Sequence, residues 1–281
     1  MSGVREGDVR ETRRCRDRFR GLLVAASPVS TMEKQAVREA VWDAFDAGDQ
    51  ARFPFPPHDR IPNFAGAADA CDRLTETDAW ASAATLKCNP DAPQLPVRRA
   101  ALRAGKTVYV AQPRLRDADP FLRLDPDDIA PEEFDDATTV SGISEYGVPT
   151  APEDVSHVDL VVAGSVGVTT DGARIGKGEG YSDLEWGVLS ELGAVNDDAT
   201  VVATTVHELS VLDGPESPIA DAADLPAPDA HDVPLDLVVT PERTIRTGTP
   251  YARPTGIDWD ALGEDKLDAI PVLAERAPGR E

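Results

Sequence analysis

The residue types and spacing best suited to chemistry lie between positions 172 and 183, where the chain reads GARIGKGEGYSD. Three glycines in this stretch, Gly176, Gly178 and Gly180, alternate with two charged side chains. Glycine lets a backbone approach a ligand closely and adopt positive φ. Arg174 and Lys177 add positive charge that suits phosphate oxygens. The pattern is typical of a loop that binds an anion.

The flanking segments predict how this loop is positioned. Residues 158–164 form an apolar run of strand length, and residues 183–192 can be helical. A loop that enters a helix N-terminus aims backbone N–H groups and a positive dipole end at an anion. Asp183 could hold a hard cation such as Mg²⁺, or it could simply cap the helix. The spacing fits neither a Walker loop nor Gly-x-Gly-x-x-Gly, so a solvated surface turn remains an alternative.

The rest of the chain alternates between strand and helix patterns. Strands are predicted at 80–86, 107–111, 158–164, 199–206 and 235–240, and helices at 33–47, 69–78, 95–104, 183–192 and 258–273. Residues 117–153 are acidic and predict a surface excursion with short helices. The alternation predicts a three-layer, Rossmann-like α/β fold with a mostly parallel sheet and helices on both faces. Ligands of such sheets bind at the carboxyl ends of strands, where Asn89, the glycines and His207 lie.

Composition limits the classes of partner. The chain has 281 residues and a net charge of −23, from 51 acidic and 28 basic side chains. This balance argues against nucleic-acid and anionic-membrane partners, and no apolar run has transmembrane length. Only five lysines occur, and the acidic, lysine-poor composition predicts the cytoplasm of a salt-loving (halophilic) organism; an acidic mesophilic protein is the alternative. Three cysteines without a close pair fit a reducing compartment.

The domain boundary is predicted at Met32. Residues 1–31 are crowded with arginine and read as a disordered or mis-assigned extension, because the apolar stretch at 21–26 is too short for an export signal. Residues 32–281 are predicted to form a single α/β domain that ends in a C-terminal helix.

At this point the residues resemble a known family. The loop from Arg174 to Asp183 resembles the signature of 5-formyltetrahydrofolate cyclo-ligases (methenyltetrahydrofolate synthetases). Lys34-x-x-x-Arg38 resembles that family's N-terminal ATP-contacting motif. The similarity is closest to the methenyltetrahydrofolate synthetase domain-containing branch, through four stretches: residues 60–64, 89–94, 175–185 and 254–273. It covers roughly residues 32–275.

The resemblance implies an ATP- and magnesium-dependent enzyme that cyclises 5-formyltetrahydrofolate to 5,10-methenyltetrahydrofolate through a phosphorylated formyl intermediate, with release of ADP and phosphate. It implies that Arg174 and Lys177 are catalytic. The ATP-binding set is Lys34, Arg38, Arg174, Gly176, Lys177, Gly178 and Gly180. Asp183 and Asp232 match the magnesium ligands, and the reduced folate is expected to contact Tyr181, Asn89 and Gln94. A cytoplasmic monomer without nucleic-acid or membrane partners is expected.

Two departures from the family pattern keep other functions open. Ser182 stands where the family usually has a second tyrosine, and the glutamate that contacts folate has no clear counterpart, although Asp91 and Gln94 fall nearby. One alternative is a non-catalytic nucleotide- or folate-binding protein on the same fold. Another is an enzyme related to sugar-phosphate isomerases or CoA-transferases. The basic pair Lys34 and Arg38 favours the cyclo-ligase over this last class.

Overall fold

The computed structural model describes residues 32–279, so the predicted extension at 1–31 lies outside the described residues. The helices are α1 Lys34–Ala47, α2 Ala67–Thr75, α3 Asp78–Ser82, α4 Leu95–Arg103, α5 Phe134–Ala137, α6 Val140–Tyr146, α7 Tyr181–Glu191, α8 Glu264–Ala269 and α9 Pro271–Arg276. The strands are β1 Ala51–Arg52, β2 Asn63–Phe64, β3 Thr85–Cys88, β4 Thr107–Ala111, β5 Phe121–Leu124, β6 Val148–Thr150, β7 Leu160–Val162, β8 Gly167–Val168, β9 Arg174–Ile175, β10 Val201–Thr205, β11 Leu237–Val239 and β12 Thr244–Arg246.

Eight of these strands form the central sheet, in the order β12-β11-β10-β7-β3-β4-β5-β6. The five central strands from β11 to β4 are parallel, while β12, β5 and β6 pair antiparallel at the edges. The remaining strands form two small antiparallel pairs, β1 with β2 and β8 with β9. The prediction of a mostly parallel sheet is confirmed.

Alternate residues of the central strands pack on opposite faces, as the strand geometry requires. In β7, Leu160 and Val162 belong to a buried cluster that also contains residues of α2 and α4. Val161, between them, belongs to a second cluster with residues of α7 and α9. Helices therefore cover both faces, which confirms the three-layer α/β fold.

A third buried cluster holds α1 against the rest of the domain. Val37, Val41 and Phe45 are four residues apart, so they form one apolar face of the helix. They pack in a cluster that contains Ile175, the last residue of β9. The amphipathic pattern predicted for α1 is confirmed, and its packing brings Arg38, near the start of the helix, to the glycine-rich stretch.

One predicted strand and one predicted surface segment need correction. Residues 80–82 are helical rather than extended, because the Thr77 side chain caps α3 by accepting a hydrogen bond from the Trp80 N–H at 3.2 Å. The strand begins only at Thr85. The acidic excursion at 117–153 contains the short helices α5 and α6 as predicted, but it also supplies β5 and β6 to the sheet.

The predicted helix at 258–273 is divided into α8 and α9, preceded by a 3-10 turn at Trp259–Ala261. The division falls at Ile270, whose backbone is extended at φ −120 and ψ 102. Proline disfavours the helical conformation of the residue before it, so Pro271 explains the break. Between residues 32 and 279, no helix combines the length and the apolar character needed to cross a membrane.

Candidate functional site

Residues 176–180, which we call the glycine loop, connect β9 to α7. Gly178 and Gly180 have φ of +101 and +75, a region that side-chain-bearing residues rarely adopt. Gly180 is also the N-cap of α7. Within residues 32–279, the N–H groups of Gly176, Gly178 and Gly180 donate no hydrogen bond to another residue. Unpaired N–H groups at a helix N-terminus fit an anionic ligand.

Two cations from distant parts of the chain bind carbonyl oxygens of this loop. Arg38 on α1 donates from Nε to the Gly176 oxygen at 2.7 Å. Lys266 on α8 donates from Nζ to the Glu179 oxygen at 2.9 Å. Burial lowers the pKa of Arg38, but a guanidinium remains charged at physiological pH. The loop is therefore flanked by positive charge on two sides.

Arg174 lies beneath the glycine loop rather than on its surface, with 4% of the residue exposed. It forms an ion pair with Asp183 and donates to the Gly164 oxygen at 3.1 Å. Burial opposes its charge, but the Asp183 carboxylate outweighs burial and raises the pKa of Arg174. A cavity beside Arg174 and Lys34 has a volume of about 10 Å³, room for roughly one water. This cavity has no room for a triphosphate, and direct contact between a nucleotide and Arg174 stays a prediction.

The other predicted phosphate-binding cations have carboxylate partners. Lys34 pairs with Asp232 and with Asp229, the latter at 2.7 Å. Burial lowers the pKa of Lys34, but these hydrogen bonds outweigh burial and raise it overall. Lys177 pairs with Glu179 at 2.7 Å, with both side chains 38% exposed. Each ammonium group has three donors, so a phosphate oxygen would share the lysine with its carboxylate partner or replace that partner.

The two predicted metal ligands are brought together by a backbone contact. Oδ1 of Asp183 accepts hydrogen bonds from Arg174 and from the Val233 N–H. Oδ2 of Asp232, the residue before Val233, accepts from Lys34 and the Asp229 N–H. Within the described part of the chain, the other oxygen of each carboxylate accepts no hydrogen bond. Mg²⁺ usually takes one or two carboxylates plus phosphate oxygens and water, so this arrangement fits the ion.

Asn89 lies at the carboxyl end of β3 and joins it to the start of α7. Its Nδ2 donates to Ser182 Oγ at 3.1 Å, and its Oδ1 accepts from the Gly164 N–H at 3.0 Å. The Asn89 N–H donates to Gln94 Oε1 at 2.8 Å. Gln94 is only 1% exposed, and its Nε2 has no hydrogen-bond partner among the described residues. Asn89, Gln94 and the first turn of α7, which begins at Tyr181, are thus neighbours.

Sequence reasoning assigned no role to three charged residues that lie at this site. Lys87 of β3 forms a buried ion pair with Glu185 of α7, and both residues are less than 5% exposed. Burial raises the pKa of Glu185, which Lys87 partly opposes. Lys266 is the third. The rarity of lysine was the available signal, because four of the five lysines lie here: Lys34, Lys87, Lys177 and Lys266.

Two of the four histidines, His207 and His231, differ in environment. His207 packs its ring against Phe45 and Phe64 at 5.8 and 6.2 Å, and its Nδ1 accepts from the Leu209 N–H. Burial lowers its pKa, and these contacts give it a structural role. His231 lies next to Asp232, and potential ligand atoms of His231, Asp229 and Asp232 lie within 4.8 Å of one another.

A doubly wound α/β sheet that presents a glycine loop, flanking cations and paired carboxylates defines a candidate nucleotide-binding protein. The sequence model of the 5-formyltetrahydrofolate cyclo-ligase family matches residues 31–241. That match covers more than half of the chain, and the chain belongs to this family.

Comparison with known proteins finds both curated relatives and solved structures that are similar to the chain. The methenyltetrahydrofolate synthase domain-containing proteins of Mus musculus and Homo sapiens are 42% and 37% identical to the chain over 243 residues. The match covers 86% of this chain but only 62% and 61% of those proteins, so the chain spans less than two thirds of their length. The 5,10-methenyltetrahydrofolate synthetase structure from Aquifex aeolicus is 17% identical, with a TM-score of 0.47, over 79% of this chain and 97% of that one.

Proposed function

We propose that this chain catalyses the ATP- and Mg²⁺-dependent cyclisation of 5-formyltetrahydrofolate to 5,10-methenyltetrahydrofolate, with release of ADP and phosphate. The observation that carries the proposal is the contact between Arg38 and the Gly176 oxygen at 2.7 Å. This contact joins the two stretches that resemble the family's ATP-binding motifs, although they are 138 residues apart.

The reaction needs a better leaving group than a formamide oxygen, and MgATP supplies the phosphoryl group that creates one before folate N10 closes the ring. Phosphoryl transfer depends chiefly on alignment and charge neutralisation. In our proposal the glycine-loop N–H groups and Arg38 hold phosphate oxygens, together with Lys34 and Lys177. Arg174 acts by fixing Asp183, and Asp183 and Asp232 each retain one oxygen for the metal.

We propose that the folate lies between the end of β3 and the start of α7. Gln94 Nε2 is a buried donor without a partner among residues 32–279, and leaving such a donor unpaired is costly. It therefore fits an acceptor on the folate. Asn89 shapes the pocket through its bonds to Ser182 and Gly164, and Tyr181 supplies an aromatic ring.

The test is a cyclisation assay at high salt with 5-formyltetrahydrofolate and MgATP, followed by methenyltetrahydrofolate absorbance and phosphate release. We expect one phosphate per methenyl product. Arg38→Gln should lower kcat/KM about 10- to 100-fold, because it removes a charge-assisted contact to phosphate. Arg103→Gln removes an exposed charge at the C-terminal end of α4, which is paired with Asp135, and should change little. Absence of product from a folded protein that binds ATP would exclude the proposal.

The second candidate is a non-catalytic nucleotide- or folate-binding protein. It is favoured by Ser182, whose hydroxyl bonds Asn89 at the position where the family usually has an aromatic ring. It is also favoured by the internal partners of Asp183 and Asp232. Saturable binding of MgATP without turnover would support this candidate.

We also propose that the protein acts as a cytoplasmic monomer in a salt-adapted cell, on a reduced folate and without nucleic-acid or membrane partners. The net charge of −23 supports the last point, because polyanions repel such a surface. We propose that residues 32–281 form the catalytic domain and that residues 1–31 are an extension to it.

A further inference from the structure

Lys266 on α8 contributes to the glycine loop from outside the region matched by the family model, which ends at residue 241. Its Nζ donates to the Glu179 oxygen at 2.9 Å and lies 5.9 Å from the centre of the Tyr181 ring. A Cβ atom on Gly180 would lie 3.4 Å from the same nitrogen. The ammonium group is therefore in contact with the loop at the N-terminus of α7.

The charge environment of Lys266 differs from that of the other lysines at the site. Lys34, Lys87 and Lys177 each form an ion pair with a carboxylate. Throughout residues 32–279, no carboxylate lies within 4.0 Å of the Lys266 ammonium, although the chain contains 51 acidic residues. The ammonium group has three donors, and one of them binds the Glu179 carbonyl oxygen.

The position of α8 is fixed by apolar packing. Leu267, one residue after Lys266, packs against the core cluster on the α7 face of the sheet. Ile270, between α8 and α9, and Leu273, in α9, are 1% and 0% exposed. A charged group held on an anchored helix loses little conformational freedom when it binds a ligand.

We propose that Lys266 binds phosphate oxygens of the triphosphate, so that the C-terminal helices α8 and α9 complete the nucleotide site. Lys266 has no carboxylate partner among residues 32–279 and lies beside the glycine loop at the N-terminus of α7, so its charge is suited to an anion. The inference rests on the proposed function insofar as the anion is the triphosphate of ATP. A lysine that serves only to hold the loop carbonyl would stabilise the fold without changing affinity for phosphate.

The experiment measures binding of inorganic tripolyphosphate and of MgATP by calorimetry at constant ionic strength, together with thermal unfolding. Lys266→Gln should raise the Kd of both probes about tenfold or more, since it removes a charge-assisted hydrogen bond. Lys266→Arg should keep Kd within about threefold, because it restores a cationic donor. Arg103→Gln, which removes an exposed cation at the C-terminal end of α4, should leave Kd unchanged.

The outcomes separate this inference from the proposed function. Unchanged Kd values in Lys266→Gln overturn the inference, whether or not the variant unfolds at a lower temperature. A wild-type chain that binds neither probe overturns the inference and the proposed function together. If cyclisation fails but Lys266→Gln still weakens tripolyphosphate binding, the proposed function falls and the assignment of Lys266 stands.

Discussion

The cations of the site differ in the partners they already have. Lys34, Arg174 and Lys177 are paired with carboxylates, whereas Arg38 and Lys266 bond to uncharged oxygens. The family resemblance assigns all four predicted cations to ATP and two of them, Arg174 and Lys177, to catalysis as well. Residue type and motif position do not reveal which of these cations has a partner distant in the chain. The spacing of residues within each motif predicts which of them lie at the glycine loop. Which cations are already paired with carboxylates depends on tertiary contacts, and this could not be predicted from the sequence.

One buried carboxylate outside the site, that of Glu208, is also paired with a cation, and its contribution to stability should depend on pH. Glu208 is 3% exposed and accepts hydrogen bonds from Arg243 at 2.8 and 3.1 Å and from Thr240. Burial raises its pKa, but these bonds outweigh burial, so its pKa lies below the ordinary value of 4.5. The folded state therefore binds the proton less readily than the unfolded state does. The stabilisation is complete above pH 4.5 and is lost as the pH falls through the folded-state pKa.

We expect Glu208→Gln to reduce the free energy of unfolding by about 2 kcal/mol at pH 7, because the Arg243 contact loses its charge partner. The difference from wild type should shrink as the pH falls below 4.5. Urea unfolding between pH 3 and pH 7 measures this. Glu242→Gln changes an exposed neighbour and should stay within about 0.5 kcal/mol of wild type. A difference that grows toward acid pH would contradict the sign assigned to Glu208.

Local signals decided which elements could be predicted. The apolar spacing of α1 and the β-branched run of β4 are contained in the elements themselves, and both lie where the sequence placed them. The two edge strands, β6 and β12, are largely exposed, whereas the central strands β7 and β11 are fully buried, and both edge strands extend the sheet by antiparallel pairing. Such strands have little pattern of their own, so they depend on neighbours that the sequence does not reveal.

The glycine loop offers a test of how an element positions a cation. Gly178 has φ +101, and a Cβ there would lie 3.2 Å from the guanidinium carbon of Arg38. Gly178→Ala should therefore strain the loop and displace Arg38, with a loss of about 1–2 kcal/mol in stability and about tenfold weaker MgATP binding. Calorimetry and urea unfolding measure the two effects.

Gly193→Ala is the matched control for this prediction. Gly193 has φ +74, and no atom lies within 4 Å of the position of an added Cβ. It should show a comparable loss of stability without a change in Kd. Equal Kd values for Gly178→Ala and wild type would show that the position of Arg38 against the loop does not matter for binding.

At the scale of the whole molecule, charge dominates the expected behaviour in solution. The chain carries a net charge of −23, and repulsion among like charges destabilises its compact state. The few cations at the site are therefore surrounded by an unfavourable field for ATP, which is itself an anion. Salt should weaken both the self-repulsion of the chain and its repulsion of ATP, since the Debye length falls from about 10 Å at 0.1 M to about 3 Å at 1 M ionic strength.

We expect the midpoint of thermal unfolding to rise by roughly 5 °C or more between 0.1 and 2 M KCl, because screening removes repulsion among the acidic side chains. The same change should speed association of MgATP, because the long-range repulsion is screened, although contacts with Arg38 and Lys266 weaken individually. Differential scanning calorimetry and stopped-flow binding measure the two effects. Sucrose at matched viscosity controls for general solvent exclusion. An unfolding midpoint that falls with KCl would mean that the ion pairs described above contribute more stability than the acidic surface removes.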